Sequence, residues 1–276
     1  MKVYQTRRGP FLQTETHTFL LQDQNWDELV NRSDLYEHLT HLAEVSIPSE
    51  YSDPVRLGVL PPIGQQEVWA SGVTYFRSRE ARMEESDHGA DFYDLVYDAD
   101  RPELFFKSTA ARVIGPGGCV RIRKDSSWNV PEPELTLFLN SKGEIVGYTI
   151  GNDMSSRSIE GENPLYLPQA KTYEGSAALG PCLWVPDAPI SPKTTIELHI
   201  SRAGKRLFQE QIELTQLKRS LEDLAGYLFR ELSFPHGCYL MTGTGIVPDA
   251  DFTLQVGDEI SISIPPIGTL FNTVSS

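Results

Sequence analysis

Residues 131–153 read PEPELTLFLNSKGEIVGYTIGND, and this is the most informative stretch of the sequence. It predicts two strands, Glu134–Asn140 and Ile145–Asn152, each bounded by residues that favour turns. The segment Ser141-Lys142-Gly143 lies between the two strands and is typical of a tight connection. We therefore expect a β-hairpin whose first strand is largely apolar.

Three acidic residues flank this hairpin. Glu132 and Glu134 are two positions apart, so in an extended chain they share one face while the neighbouring leucines face the other layer. The hairpin folds Asp153, at the end of the second strand, back toward the two glutamates. Carboxylate oxygens are the ligands that Mg²⁺ prefers, and the spacing therefore predicts a magnesium site. The alternative is a pair of solvated charges ahead of a strand.

The rest of the chain is rich in short strands separated by Gly, Pro, Asn and Asp. One amphipathic helix interrupts them, with an apolar stripe of leucines from Leu217 to Leu232. This pattern predicts an α+β, β-rich fold, a mixed β-sandwich or roll. The other predicted strands are Glu67–Gly72, Glu103–Ser108, Cys119–Arg123, Cys182–Val185, Thr195–Arg202, Glu210–Leu214 and Glu259–Ile264.

Residues 1–62 are predicted to form a small N-terminal α+β domain, and residues 63–276 the main domain. Paired prolines and a glycine in Pro54–Gly64 interrupt both periodicities, which favours a boundary there. Within the first domain, leucines spaced four and three apart predict a helix from Leu35, capped by Ser33. A second helical stretch is expected over Phe76–Asp98.

The composition excludes some classes of partner. The chain has 276 residues, with 24 Lys and Arg against 38 Asp and Glu, so its formal net charge is −14. That is the wrong sign for binding nucleic acid or an anionic membrane. No apolar run approaches the length that crosses a bilayer. The three cysteines form no CxxC pair, which suits a reducing compartment, and we expect a cytoplasmic protein.

Two further residues are candidates for acid–base chemistry. Glu103, Phe105 and Lys107 alternate along one strand face and are consistent with a pocket wall or with an ordinary surface salt bridge. Lys171 lies in a stretch of low charge, where burial would lower its pKa toward the range useful for proton transfer. An exposed lysine is the alternative.

From about Gly72 to Gly268 the chain resembles the fumarylacetoacetate hydrolase family. The resemblance implies the fold of that family and Mg²⁺, or Mn²⁺ in its place, on Glu132, Glu134 and Asp153. It rests on the E-x-E motif before a strand, the block from Gly147 to Arg157, Lys171, Gly180-Pro181 and Thr242-Gly243-Thr244.

Three longer sequence segments are similar to the 2-keto-3-deoxy-D-arabinonate dehydratase branch of that family. They are Ser71–Tyr75, Arg101–Lys107 and Glu162–Lys171. The resemblance implies that Glu103 and Lys171 are catalytic and that the chain forms a homodimer or homotetramer. Ser78, Arg79, Gln169 and Thr244 are candidates for binding the substrate's carboxylate and hydroxyls, each with a structural alternative.

The chain departs from the hydrolases of the family in one respect. Those enzymes use a histidine shortly after the position of Tyr75 to activate water, and residues 74–81 contain none, although Glu80 or Glu84 is a possible substitute. The resemblance thus implies a lyase of sugar-acid and pentose catabolism. It would convert a 2-keto-3-deoxy pentonate (arabinonate or xylonate) to 2,5-dioxopentanoate by enolate-stabilised β-elimination of water. The alternatives are an acylpyruvate- or fumarylacetoacetate-type C–C hydrolase, a 2-oxo acid decarboxylase and an inactive binding module.

Overall fold

The predicted hairpin lies at the centre of the molecule. In the computed structural model, which describes residues 1–77 and 95–276, β9 (Pro133–Leu139) and β10 (Ile145–Asp153) pair antiparallel. The side-chain carbonyl of Asn140 accepts hydrogen bonds from the backbone N–H groups of Lys142 and Glu144, both at 3.0 Å. Gly143 adopts a φ of +81°, which a residue with a side chain rarely adopts. The turn chemistry predicted from the sequence is confirmed.

A ten-stranded sheet surrounds this hairpin. Its order is β3-β2-β1-β12-β10-β9-β15-β4-β5, and β6 pairs beside β12. The remaining strands are β1 (Lys2–Thr6), β2 (Gly9–Gln13), β3 (Thr18–Leu20), β4 (Glu67–Gly72), β5 (Glu103–Thr109), β6 (Val113–Ile114), β12 (Ala177–Trp184) and β15 (Cys238–Met241).

A five-stranded sheet packs against one face of the larger one, in the order β14-β13-β16-β17-β7. Leu135 and Leu137 of β9 share a buried cluster with Leu198 and Ile262 of the smaller sheet. The predicted sandwich architecture is therefore present. The smaller sheet comprises β7 (Cys119–Arg121), β13 (Thr195–Arg202), β14 (Lys205–Glu213), β16 (Glu259–Ile264) and β17 (Gly268–Ser275), and a separate pair comprises β8 (Asn129–Val130) and β11 (Ser155–Ser156).

The other face of the larger sheet is covered by α1 (Trp26–Val30) and α2 (Leu35–Val45). Leu35 and Leu39 share a buried cluster there with Phe138 of β9. Because both of its faces are covered, every residue of β9 is buried, which explains its nearly continuous apolar sequence.

The N-terminal segment continues the main sheet, because β1 pairs antiparallel with β12 through Lys2 opposite Trp184 and Val3 opposite Leu183. The boundary at residue 62 stays a prediction. The predicted cap of α2 is wrong: Asp34 is the N-cap, and the hydroxyl of Ser33 instead accepts a hydrogen bond from Lys142 Nζ at 2.9 Å.

Three more α-helices lie between residues 157 and 228, namely α3 (Arg157–Glu162), α4 (Leu167–Lys171) and α5 (Leu221–Leu228). The predicted leucine-striped helix is confirmed as α5, but it is shorter than the stripe. Ser220 caps it, its hydroxyl accepting the N–H of Asp223 at 3.0 Å. Leu217 lies outside, in the preceding segment.

The helix predicted over Phe76–Asp98 lies mostly outside the described residues. Among residues 1–77 and 95–276, none of the helices combines the length and apolar character needed to cross a membrane.

Candidate metal centre and active site

Three carboxylates meet at the open end of the β9–β10 hairpin. The backbone N–H of Asp153 donates to the carbonyl of Glu132 at 3.0 Å, and Gly151 stands opposite Glu134 in register. One carboxylate oxygen from each of Glu132, Glu134 and Asp153 lies within 4.8 Å of the other two, and all three side chains are buried. The expected convergence of the three acids is confirmed, and solvated charges are excluded.

These carboxylates fit a hard cation. Three buried anionic oxygen donors are the ligand type that Mg²⁺ takes in proteins. Burial, with the charges of Asp153 and Glu132, raises the pKa of Glu134 well above its usual range. A bound cation would oppose that shift by favouring the ionised form. The backbone N–H of Gly243 also donates to Glu134 Oε2, at 2.5 Å.

Lys171 lies at one edge of the three acids. It is the last residue of α4 and fully buried. Its ammonium donates to Glu132 Oε2 and to the hydroxyl of Ser155, each at 2.6 Å, and lies 3.5 Å from Asp153 Oδ2. The alternative of an exposed lysine is wrong.

Lys107 is a second buried ammonium in this cluster, and the sequence assigned it a strand face but no individual role. It extends from β5 to form an ion pair with Asp153, and it donates to the carbonyls of Met154 (2.9 Å) and Lys171. Burial lowers its pKa, and the charge of Lys171 adds to that effect, whereas Asp153 opposes it. The alternative of a surface salt bridge is therefore excluded for this residue. The alternation of Lys107 with Glu103 along the predicted strand was the sequence signal that could have identified it as a site residue.

Arg157 is the third buried cation of the site. Its guanidinium donates to Glu132 Oε1 at 2.8 Å and lies 3.7 Å from Glu160 Oε2. Both Arg157 and Glu160 are buried. Arg157 belongs to the block that carried the family resemblance, but spacing alone assigned it no partner.

A small cleft opens beside the acids. It is lined by Ser71, Gly72, Val73, Phe105, Glu132, Arg157, Lys171 and Thr244. Glu103 begins β5 directly opposite Gly72 and therefore lies at the rim of this cleft. A wider groove elsewhere, bordered by Tyr36, Glu144 and Tyr148, contains none of the three acids. The smaller cleft, which Glu132 and Lys171 line, is therefore the candidate active site.

The candidate substrate-binding residues divide into three groups. Thr244 is buried at the cleft, and its hydroxyl donates to the carbonyl of Ile246 at 3.2 Å. Gln169 is exposed on α4, and its backbone carbonyl accepts a hydrogen bond from Arg123 at 3.0 Å. Ser78 and Arg79 lie outside the described residues, as do Glu80 and Glu84. The roles of all the site residues stay predictions.

This chain belongs to the fumarylacetoacetate hydrolase family. The family model for the C-terminal region of fumarylacetoacetate hydrolase matches residues 69–275, which contain the hairpin, both buried lysines and the cleft. The β-rich fold and the ordered motifs predicted from the sequence agree with that membership.

Two similar proteins are dehydratases of 2-keto-3-deoxy sugar acids. A probable 2-keto-3-deoxyxylonate dehydratase of Haloferax volcanii is 47% identical over 216 residues, covering 78% of this chain and 74% of that protein. A 2-dehydro-3-deoxy-D-arabinonate dehydratase of Saccharolobus solfataricus is 43% identical over 220 residues, with the same coverage of each chain. A solved structure of 2-keto-3-deoxy-D-arabinonate dehydratase, complexed with magnesium and 2,5-dioxopentanoate, matches with a TM-score of 0.85 and 33% identity, covering 100% of this chain and 99% of that one.

Proposed function

We propose that this chain is a Mg²⁺-dependent dehydratase of 2-keto-3-deoxy pentonates, acting on the arabinonate or xylonate and yielding 2,5-dioxopentanoate. The observation that carries the proposal is the buried cluster of Glu132, Glu134 and Asp153 with Lys171 at its edge. The similar proteins named above act on such sugar acids, and one solved structure holds magnesium and this product.

Glu132, Glu134 and Asp153 would hold the metal, with Mn²⁺ able to replace Mg²⁺. The bound ion would supply Lewis acidity that withdraws electrons from the 2-oxo group and makes the neighbouring C3 proton easier to remove. The cations Lys107, Arg157 and Lys171 are engaged in ion pairs with Glu132 and Asp153. A divalent ion adds two positive charges to the site, which favours binding of an anionic substrate such as a sugar acid.

We assign the two proton transfers to Glu103 and Lys171. The contacts of Lys171 with the Glu132 carboxylate and the Ser155 hydroxyl support a protonated ammonium, and we assign to it the proton that the departing C4 hydroxyl takes up. Glu103, at the rim of the cleft, accepts the C3 proton before the hydroxyl leaves. Water leaves, and a proton shift from C5 of the unsaturated 5-hydroxy acid gives the aldehyde of 2,5-dioxopentanoate. Acid–base catalysis of this kind contributes about 10²–10⁴-fold.

The reaction is tested by incubating the protein and Mg²⁺ with a panel of 2-keto-3-deoxy pentonates. We expect the semialdehyde from at least one of them, and none from Glu134→Gln. Formation of two acids would instead identify a C–C hydrolase, and release of CO₂ a decarboxylase. No product together with no Mg²⁺ binding would identify a binding module.

The division of roles is tested by the exchange of C3 deuterium. We expect Glu103→Gln to lose both exchange and turnover. Lys171→Ala should keep exchange but lose elimination, because proton removal precedes loss of the hydroxyl. The reverse pattern would make Lys171 the base, and retained turnover in both variants would remove both from the mechanism.

We further propose that the protein works in the cytoplasm as a homodimer or homotetramer. The acidic composition and three free thiols support a reducing compartment. Light scattering coupled to size-exclusion chromatography measures the assembly, and a monomeric mass with full activity would contradict it.

A further inference from the structure

Gly72 and Glu103 are direct neighbours across two strands. Gly72 ends β4 and Glu103 begins β5, and the two residues stand opposite each other in the antiparallel ladder. A Cβ atom built on Gly72 would lie 1.9 Å from Glu103 Oε2 and 2.6 Å from Cδ. The carboxyl group of Glu103 thus rests in the space that any side chain at position 72 would take.

The glycine is not required by its own backbone. Gly72 is not among the residues with a left-handed φ, so an alanine there meets no backbone strain. The closest atoms belong to the far end of a flexible side chain, which moves at low cost. Gly243 is a useful contrast, because its φ is +91° and a Cβ there would lie 2.0 Å from Thr74 Oγ1.

The backbone at the end of β4, against which that carboxylate packs, is held in position by its surroundings. Val73, the next residue, has a φ of +52°, which is rare for a β-branched side chain and persists only where the surroundings impose it. Thr74 donates through its hydroxyl to the carbonyl of Thr242 at 2.7 Å. Gly72 also lines the cleft beside Glu132 and Lys171.

We infer that Gly72 is a positioning residue: the absence of a side chain at this position sets where the Glu103 carboxylate stands at the mouth of the cleft. The inference rests on the proposed function in one respect, namely that Glu103 takes part in proton transfer. A displaced carboxylate loses rate steeply, since a misplacement of about 1 Å can cost on the order of 100-fold.

The test is a double-mutant cycle with G72A, E103A and the double variant. We expect G72A to lower kcat by about 10–100-fold, with KM changed by less than about 3-fold. The double variant should match E103A within about 2-fold, because the methyl group then has no carboxylate to displace. Aspartate is one methylene shorter, so G72A/E103D should regain activity relative to G72A.

The control for glycine replacement is G226A, since a Cβ at Gly226 meets no atom within 4 Å. Its activity should match that of the wild type. G72A should keep the wild-type Mg²⁺-induced rise in Tm, which separates a displaced carboxylate from a damaged fold. Wild-type kcat in G72A overturns the inference, as does a loss in the E103A background equal to the loss in the wild type.

A wild type that forms no semialdehyde would contradict the proposed function and would leave the position of the Glu103 carboxyl group as the part of this inference to be decided. Crystal structures of the wild type and G72A then decide it. Displacement of the Glu103 carboxyl group by about 1 Å or more, with β4 and β5 unmoved, supports the inference. Superimposable carboxyl groups overturn it.

Discussion

Two acidic side chains of the site, Glu134 and Asp153, carry the same functional group but have different hydrogen-bond and ion-pair partners. Glu134 and Asp153 are both buried acids of the same cluster. Asp153 is paired with Lys107 and lies 3.5 Å from Lys171, whereas Glu134 accepts a hydrogen bond from the backbone N–H of Gly243. Equal changes of charge at the two positions should therefore have unequal effects on stability.

We predict that Glu134→Gln leaves the free energy of unfolding of the metal-free protein unchanged or higher. The pKa of Glu134 is raised in the folded state, so its ionised form destabilises the fold as pH rises above the usual pKa of a glutamate. Asp153→Asn should lower that free energy by about 3–5 kcal/mol, because it leaves buried ammonium groups without their partner. Urea unfolding measures both, and equal losses would contradict the assignment.

Glu134→Gln and Asp153→Asn should also lose the increase in the free energy of unfolding that Mg²⁺ gives the wild type. In the wild type, a free Mg²⁺ concentration 100 times the Kd should add about 2.7 kcal/mol to the free energy of unfolding. Calorimetry with and without Mg²⁺ tests this at one pH. An unchanged Mg²⁺ response in Glu134→Gln would show that the metal binds elsewhere.

Lys107→Met removes a fully buried cation at the centre of three contacts. We expect a loss of about 3–5 kcal/mol in the free energy of unfolding, since the charge of Asp153 then stays buried without this partner. Lys205→Met, at an exposed position of β14, is the matched control and should change stability by less than about 0.5 kcal/mol. Equal effects of the two changes would show that the ion pair contributes nothing.

At the scale of elements, the strands that were predicted well are those with clear boundaries and a half-buried pattern. Thr195–Arg202 and Glu259–Ile264 are observed with the predicted bounds. β12 begins five residues before the predicted Cys182, because Gly180-Pro181 is a breaker in sequence but lies within the strand. β14 was predicted from Glu210, although it begins at Lys205, since most of its side chains are exposed and polar.

The N-terminal strands provide a prediction at this scale. Removal of residues 1–62 should leave a chain that is insoluble or unfolded, because it uncovers the edge of β12 and the buried side chains of Leu179 and Leu183. Circular dichroism and sedimentation of residues 63–276 test this. Cooperative unfolding of that fragment would support the boundary predicted at residue 62.

At the scale of the whole molecule, the reactivity of the three cysteine thiols measures whether the β-sandwich is folded. Cys119 is exposed, whereas Cys182 and Cys238 are buried in the larger sheet. Burial raises the pKa of Cys182 to about 12 and raises that of Cys238 as well. Only about one Cys182 thiol in 10⁴ is then ionised at pH 8 in the folded protein.

We predict that a thiol reagent at pH 8 modifies one cysteine quickly in the native protein and three after unfolding. Cys119→Ser should abolish the fast phase. Because the folded pKa of Cys182 exceeds the value of 9.0 for an ordinary thiol, the free energy of unfolding should fall as pH rises from about 9 toward 12. Two fast thiols in the native protein would contradict the burial of Cys182 and Cys238.

The hairpin, the common face of Glu132 and Glu134, and the approach of Asp153 could all be predicted from the sequence. These features depend on strand periodicity and a short turn, which are local in the chain. The motifs of residues 72–268 also identified the family. The sandwich was expected from the number of short strands, and the order of those strands was not.

The pairing of the buried charges could not be predicted from the sequence, because it depends on the folded arrangement. Lys107, Asp153 and Lys171 come from β5, β10 and α4, and their ion pairs depend on packing between elements that are far apart in sequence. The same holds for Gly72 and Glu103, which the pairing of β4 with β5 places opposite each other across 31 positions of the chain. Periodicity gives the face of a side chain, but its partner depends on the register between strands.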